Sequence, residues 1–332
     1  MNPLFHLVTM DYPYALESAC LAMSIQGSLS VRNGPNRKNT MNWFHAFVRS
    51  TLTAYAGATF ANVFMGRPTS MLSNDVFFGS CILGYALINC LPFDAGYRLF
   101  NDTFPGMLFV STLSQVFRAG GICGFSDAAH DAFESMPSSY YPIPLFGPIL
   151  LPTILGNVGG FLWHGFDGYL GDGMPWLFQQ GISCSTFYHL YAHDESGILG
   201  TTLRAALRPM AMRIMHVVGT KDYDDDIDDS RVAFARFVIG TFMVMMSILH
   251  MPHFLGPNFS PFVSLYCMIV DILGGFKMNG RRRRRGRGMI SGRGERGTNV
   301  NVGRAVHPPN GGGGGGGVGD KMRRKEKKEK NQ

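Results

Sequence analysis

Residues 74–133 decide how the chain is read, and their centre is Pro92-Phe93-Asp94-Ala95-Gly96-Tyr97-Arg98, a proline break with a short polar connector. Ahead of it, residues 76–93 carry no formal charge. Behind it, residues 103–117 carry none either and lead into Arg118, set among Gly120, Gly121 and Gly124. About eighteen apolar residues cross a bilayer as a helix. An arginine at the end of such a span is costly in hydrocarbon and marks a functional position. The same stretch also reads as a buried soluble hairpin with a surface arginine.

Composition favours the membrane. Charged residues make up 16% of the chain, against roughly 25% in soluble domains. The charge is also unevenly placed. Residues 277–332 hold 17 Lys+Arg against 4 Asp+Glu, net +13; set against +7 for the whole chain, residues 1–276 carry −6. That is an apolar, slightly acidic body with a basic arm. Cys20, Cys81, Cys90, Cys123, Cys184 and Cys267 lie in apolar spans with no C-x-x-C pair, so neither a disulfide framework nor a metal site is expected. The first apolar run starts late, contains Glu17 and lacks a basic leader, so no cleavable signal peptide is expected.

Outward from the central stretch, apolar segments recur. The first covers residues 14–31, interrupted by Glu17, and ends in the basic, turn-rich connector Arg32-Asn33-Gly34-Pro35-Asn36-Arg37-Lys38. The second, 41–66, begins at Trp43, contains Arg49, and has small residues around Gly57 and Asn62 that permit close helix contact in lipid. After the third and fourth spans, residues 127–141 read as an acidic loop. The fifth, 135–166, has no formal charge, and Pro148, Pro152, Gly156, Gly159 and Gly160 would break a soluble helix. Such breaks are tolerated in a bundle where neighbours or a cavity satisfy the freed backbone. Residues 173–193 form a sixth span, and 194–230 read as a hydrophilic loop whose acidic run, 222–229, lacks the EF-hand ligand pattern. The seventh span is 232–249. Residues 277–332, Arg- and Gly-rich with a Lys-rich end, form a tail expected to be disordered.

The reading is therefore an all-α membrane protein of seven transmembrane helices, with a transmembrane domain over 1–276 and a cytosolic tail over 277–332. Arg32, Arg37 and Lys38 follow span one and the basic tail follows span seven. The positive-inside rule makes that face cytosolic and the N-terminus lumenal. Arg204, Arg208, Arg213 and Lys221 disagree, but a long connector counts less in that rule.

The order and spacing of several motifs resemble the trimeric intracellular cation channel family from about Asp11 to Gly275. Pro92-x-Asp94-x-x-Tyr97 closes the third helix, Gly66-x-Pro68 closes the second, and Ser73-Asn74 precedes the third. Trp43, the Thr241–Ser247 run and Ser260-Pro261-Phe262 complete the match. The resemblance implies two inverted three-helix repeats plus a seventh helix and a homotrimer with one pore per subunit; separately, no Ser/His/Asp or Cys/His arrangement in the sequence suggests an enzyme. The resemblance also implies potassium conduction across an intracellular membrane as counter-ion flux during calcium release from stores. The family's Lys-Glu-Val motif with its following arginine falls on Ser114-Gln115-Val116-Phe117-Arg118, where only Val116 and Arg118 match. In the family that lysine and arginine hold an inositol-lipid headgroup, so Arg118, Ser114 and Gln115 are the lipid or gating candidates, and an anionic lipid is the one bound group implied. A family lysine in the fifth helix is replaced by Gly159.

Independently of that resemblance, the second span with Gly57 and the fifth with Gly156, Gly159 and Gly160 occupy corresponding places in two three-span halves. Such a pair points to an ion pathway, with Gly57, Asn62, Gly156, Asn157, Gly159 and Gly160 along it; tight packing alone is the alternative. A secondary transporter would share the repeats but needs an intramembrane acidic couple, and Glu17 is the one carboxylate well inside a span. A membrane-anchored scaffold or RNA-binding protein would act through Arg281–Arg285, yet seven spans exceed what an anchor needs, and no nucleic-acid partner is expected. The histidines show no ligand spacing. Lys328-Glu329-Lys330-Asn331-Gln332 fits an endoplasmic-reticulum retrieval signal of K-x-K-x-x form.

Overall fold

The computed structural model describes residues 3–134, 145–170, 174–195, 197–218, 227–256 and 262; the tail 277–332 and most of the acidic run 222–229 lie outside these. The chain divides into two units, Met1–Gly292 and Arg293–Gln332, and the fold below is that of the first. Among the described residues every regular element is helical: α1 (Pro3–Thr9), α2 (Ala15–Asn33), α3 (Trp43–Phe64), α4 (Ser70–Ser73), α5 (Asp75–Asn89), α6 (Ala95–Asp102), α7 (Phe104–Glu134), α8 (Phe146–Leu155), α9 (Val158–Leu170), α10 (Trp176–Tyr188), α11 (Ile198–Val218) and α12 (Ile227–Leu249).

Local chemistry sets the helix starts. Asn42 caps α3 by accepting from the Phe44 N–H at 2.9 Å, and Asn74 caps α5 by accepting from the Val76 N–H at 2.9 Å. Each satisfies one of the orphan donors at a helix start. Two helices, over Phe104–Phe133 and Ser230–Leu249, are long and apolar enough to cross a membrane, and two bent pairs, α5 with Pro92–Asp102 and α8 with α9, qualify when each is taken as one span. That is two to four spans by length and composition, against the seven expected. The first and second expected spans fall short because α2 carries Ser24, Gln26, Ser28 and Ser30 and α3 carries His45, Arg49 and several threonines.

The central connector turns the chain by 90°. Pro92–Asp94 form one 3₁₀ turn, with Phe93 and Asp94 at φ 56° and 57°. Arg32, at the end of α2, holds this corner. Its guanidinium donates to the Ile88 carbonyl and to Asp94 Oδ1 at 2.7 Å, and lies 4.4 Å from the centre of the Tyr97 ring. The Tyr97 hydroxyl in turn donates to Asn33 Oδ1 at 2.6 Å. Gly96 is required here, since a Cβ would stand 1.8 Å from the Leu87 carbonyl oxygen.

Two segments correct the sequence reading. The fourth span does not end near Arg118. It runs on through Gly120, Gly121 and Gly124 to Glu134, 31 residues in all, so the first part of the supposed acidic loop is helix. Packing overrides the glycine cost of about 1 kcal/mol each, because Ala119, Ile122, Cys123, Ala128 and Ala129 continue a buried face. Asp127 therefore stands inside a span beside Glu17's claim to be the lone carboxylate there. Glu17 itself is exposed in the first turn of α2.

The second correction is the hydrophilic loop 194–230. Most of it is α11, whose Leu203, Leu207, Ala211 and Met215 pack into the same core as Phe234 and Ile239 of α12. Three arginines and two threonines dilute that apolar stripe in the sequence. The Asp194 carboxylate caps α11, accepting from the N–H groups of Gly197 at 3.0 Å and Gly200 at 2.9 Å. Residues Pro3–Thr9 are helical as well, and Phe5 of α1 joins this core.

Candidate functional site

The site grows from the break between α8 and α9, which meet at 89°. Pro152 lies inside α8 and supplies no N–H. At the break the Asn157 N–H bonds the Ile154 carbonyl, one residue short of the helical partner, which releases the Thr153 carbonyl. The buried Asn157 side chain satisfies that carbonyl itself, Nδ2 donating at 2.7 Å. Its Oδ1 accepts from the Tyr169 hydroxyl at 2.6 Å. So the break is stapled by one asparagine rather than left open, as buried backbone groups require.

Across from it stands α3. A Cβ on Gly57 would sit 2.2 Å from the Leu155 carbonyl oxygen, so only glycine lets the two backbones meet there. Trp163 of α9 donates Nε1–H to Thr53 Oγ1 at 3.1 Å, and the Arg49 guanidinium lies 4.5 Å from the tryptophan ring centre. These contacts fasten the far arm of the break to α3. A partly exposed cation–π pair of this kind is worth about 1 kcal/mol or less.

Between α2, α3, α7 and the broken pair lies a cavity of about 410 Å³. Gly57, Gly156, Asn157, Gly159, Gly160, Gln115 and Arg118 all line it, so seven of the nine residues singled out in the sequence come together. The other two do not. Asn62 lies further along α3 with Nδ2 donating to Ser70 Oγ at 2.6 Å. Ser114 is fully buried, its hydroxyl turned to the Ser111 carbonyl at 3.1 Å.

Arg118 donates Nη1–H to Gln115 Oε1 at 3.2 Å, and among the described residues no carboxylate pairs with it. Among the described residues that line the cavity it is the one Lys, Arg, Asp or Glu, so these residues offer amide, hydroxyl and carbonyl oxygens together with a single fixed positive charge. Sequence reasoning missed Thr53, Trp163, Tyr169, Gln26 and Ser30, which also line it. Gln26 and Ser30, four residues apart in an apolar helix and so on one face, were a legible signal; Tyr169 was not, because its place depends on the fold of α9.

Fold and site define a helical protein with helices long and apolar enough to cross a membrane, and with a cavity, part polar and part apolar, at a broken helix. No family model matches the sequence, and no curated protein matches it. In structure the chain is similar to a trimeric intracellular cation channel from C. elegans in the absence of Ca2+, at 18% identity and TM-score 0.44, over 72% of this chain and 89% of that one. It is similar also to such a channel from C. elegans with bound Ca2+, at 15% identity and TM-score 0.43, over 72% and 90%.

Proposed function

We propose that the chain is a divergent trimeric intracellular cation channel and that monovalent cations, potassium foremost, cross through the cavity at the α8–α9 break. The observation that carries this reading is the contact of Gly57 with the Leu155 carbonyl: the unbroken α3 meets the break between α8 and α9 at one cavity with amide and hydroxyl groups in its wall. Oxygens at a broken helix can replace water around an ion. The rest of the reading follows the family likeness: seven spans as two inverted repeats plus one, a homotrimer, an intracellular membrane such as the endoplasmic reticulum, and counter-ion flux as calcium leaves a store. Arg118, which among the described residues has no carboxylate partner, suits an anionic lipid headgroup, although the described site offers one fixed charge where the family motif has two.

Purified full-length chain in liposomes tests this. A potassium gradient should drive flux, with a reversal potential near that of potassium. A second reading has its own observation, the lone Arg118 in the cavity, which favours an anion over a cation. In a KCl gradient the sign of the reversal potential separates the two.

A further inference from the structure

We infer that Tyr169 is the latch of this pathway, closing the cavity and masking the Asn157 amide oxygen until its hydroxyl lets go. The inference rests on the reading of the cavity as an ion pathway and adds how that pathway is shut. Gly165 stands at φ 67°, ψ 174° inside α9, a backbone conformation open to glycine alone. It divides α9 into two arms, so that the second returns Tyr169 to the start of the first. There the ring lies against Gly160, where a Cβ would come within 2.3 Å of it. The missing side chain at Gly160 is the seat of the ring.

Three features make this a latch rather than packing alone. First, the Tyr169 hydroxyl donates to Asn157 Oδ1 at 2.6 Å while Asn157 Nδ2 holds the Thr153 carbonyl. When the tyrosine leaves, the amide oxygen faces the cavity with its other end still fixed, an oriented ligand for a cation. Second, Tyr169 is only half-buried and its ring neighbours, Phe161 at 5.0 Å and His164 at 6.4 Å between centroids, belong to the same helix. It can swing about Gly165 without repacking the bundle. Third, Tyr169 and Asn157 both line the cavity with Arg118, so the ring occupies space an ion and its waters would use.

One hydrogen bond of ordinary net strength biases such an equilibrium about fivefold. The experiment compares wild type, Tyr169→Phe and Tyr169→Ala as full-length chains in liposomes. Tyr169→Phe keeps the ring and drops the bond, and should raise cation flux about fivefold with the reversal potential unchanged. Tyr169→Ala should raise it at least as far. A readout independent of conduction is the rate at which a water-soluble thiol reagent labels Gln26→Cys, on the opposite wall, with and without Tyr169→Phe. Faster labelling supports the latch. Faster labelling in a chain that passes no cations keeps the latch and removes the channel reading. Wild-type flux that neither variant alters, with equal labelling rates, overturns the latch and leaves the channel.

Discussion

Asp127 Oδ1 lies 2.7 Å from His193 Nε2, although 66 residues separate them in the chain. The other carboxylate oxygen accepts from Arg236 Nη2 at 2.9 Å, and the His130 ring stacks on His193 at 4.3 Å. One carboxylate thus joins α7, the π-helical turn His189–His193 and α12. The residues of α7 that line the cavity, from Gln115 to Phe125, precede it on the same helix.

Replacing Asp127 by Asn removes the charge from two bonds at once and leaves a guanidinium beside two imidazoles. Charge-assisted bonds contribute more than neutral ones, and the carboxylate is mostly buried. We expect a loss of about 2 kcal/mol, read as a fall of several degrees in the melting temperature in detergent. An unchanged melting temperature would mean that this end is held by apolar packing alone.

The Arg32 corner should behave asymmetrically. Asp94 is half exposed, and an exposed ion pair is worth about 1 kcal/mol or less, so Asp94→Asn should cost little. Arg32→Ala also deprives the Ile88 carbonyl of its donor and strips the face of Tyr97. It should cost at least twice as much. Equal effects in denaturation of the two variants would contradict the assignment of the corner to the arginine.

Much of this could be read from residues alone, and the failures have physical causes. Apolar, charge-poor runs located α2, α3, α5 and α12, helped by signals such as Asn74 ahead of α5 and Gly66-Arg67-Pro68 after α3. The extent of α7 was illegible, since three glycines and Asp127 read as an ending until Ala128, Ala129 and Ile122 found partners in other helices. The same holds for α11, whose core stripe shows only once α12 and the π-helical turn are beside it. At the site, the glycines were visible as breaks in composition. What each break faces, Leu155 against Gly57 or Tyr169 against Gly160, is tertiary.

Two glycines should respond in opposite ways to the same change. Gly57→Ala places a methyl group 2.2 Å from the Leu155 carbonyl, so α3 must move off the break; we expect a large loss of flux, and a larger one for Gly57→Leu. Gly124 has nothing within 4 Å of a built Cβ and lies inside α7. Gly124→Ala should therefore stabilise the chain by up to about 1 kcal/mol through helix propensity, with flux unchanged. Thermal unfolding and liposome flux on both variants check the pair, and a harmless Gly57→Ala would detach α3 from the pathway.

Arg118 carries the last and most discriminating expectation. In the proposed pathway its charge opposes every cation. At a separation of about 5 Å and an effective dielectric near 20, the opposition is about 3 kcal/mol, which mobile anions or a bound headgroup would reduce. Arg118→Gln should therefore raise cation conductance at least several-fold and deplete co-purifying anionic lipid, measured by mass spectrometry of the extracted protein. Adding a second charge cannot use Ser114, whose side chain is fully buried away from the cavity. The position that meets Arg118 is Gln115, three residues earlier on the same face. Gln115→Lys should lower cation conductance and strengthen lipid retention, since two cations in one cavity need an anion more than one does. If conductance and lipid content both ignore Arg118→Gln and Gln115→Lys, the charge lies off the pathway, and the cavity between α3, α7 and the α8–α9 break is a packing feature instead.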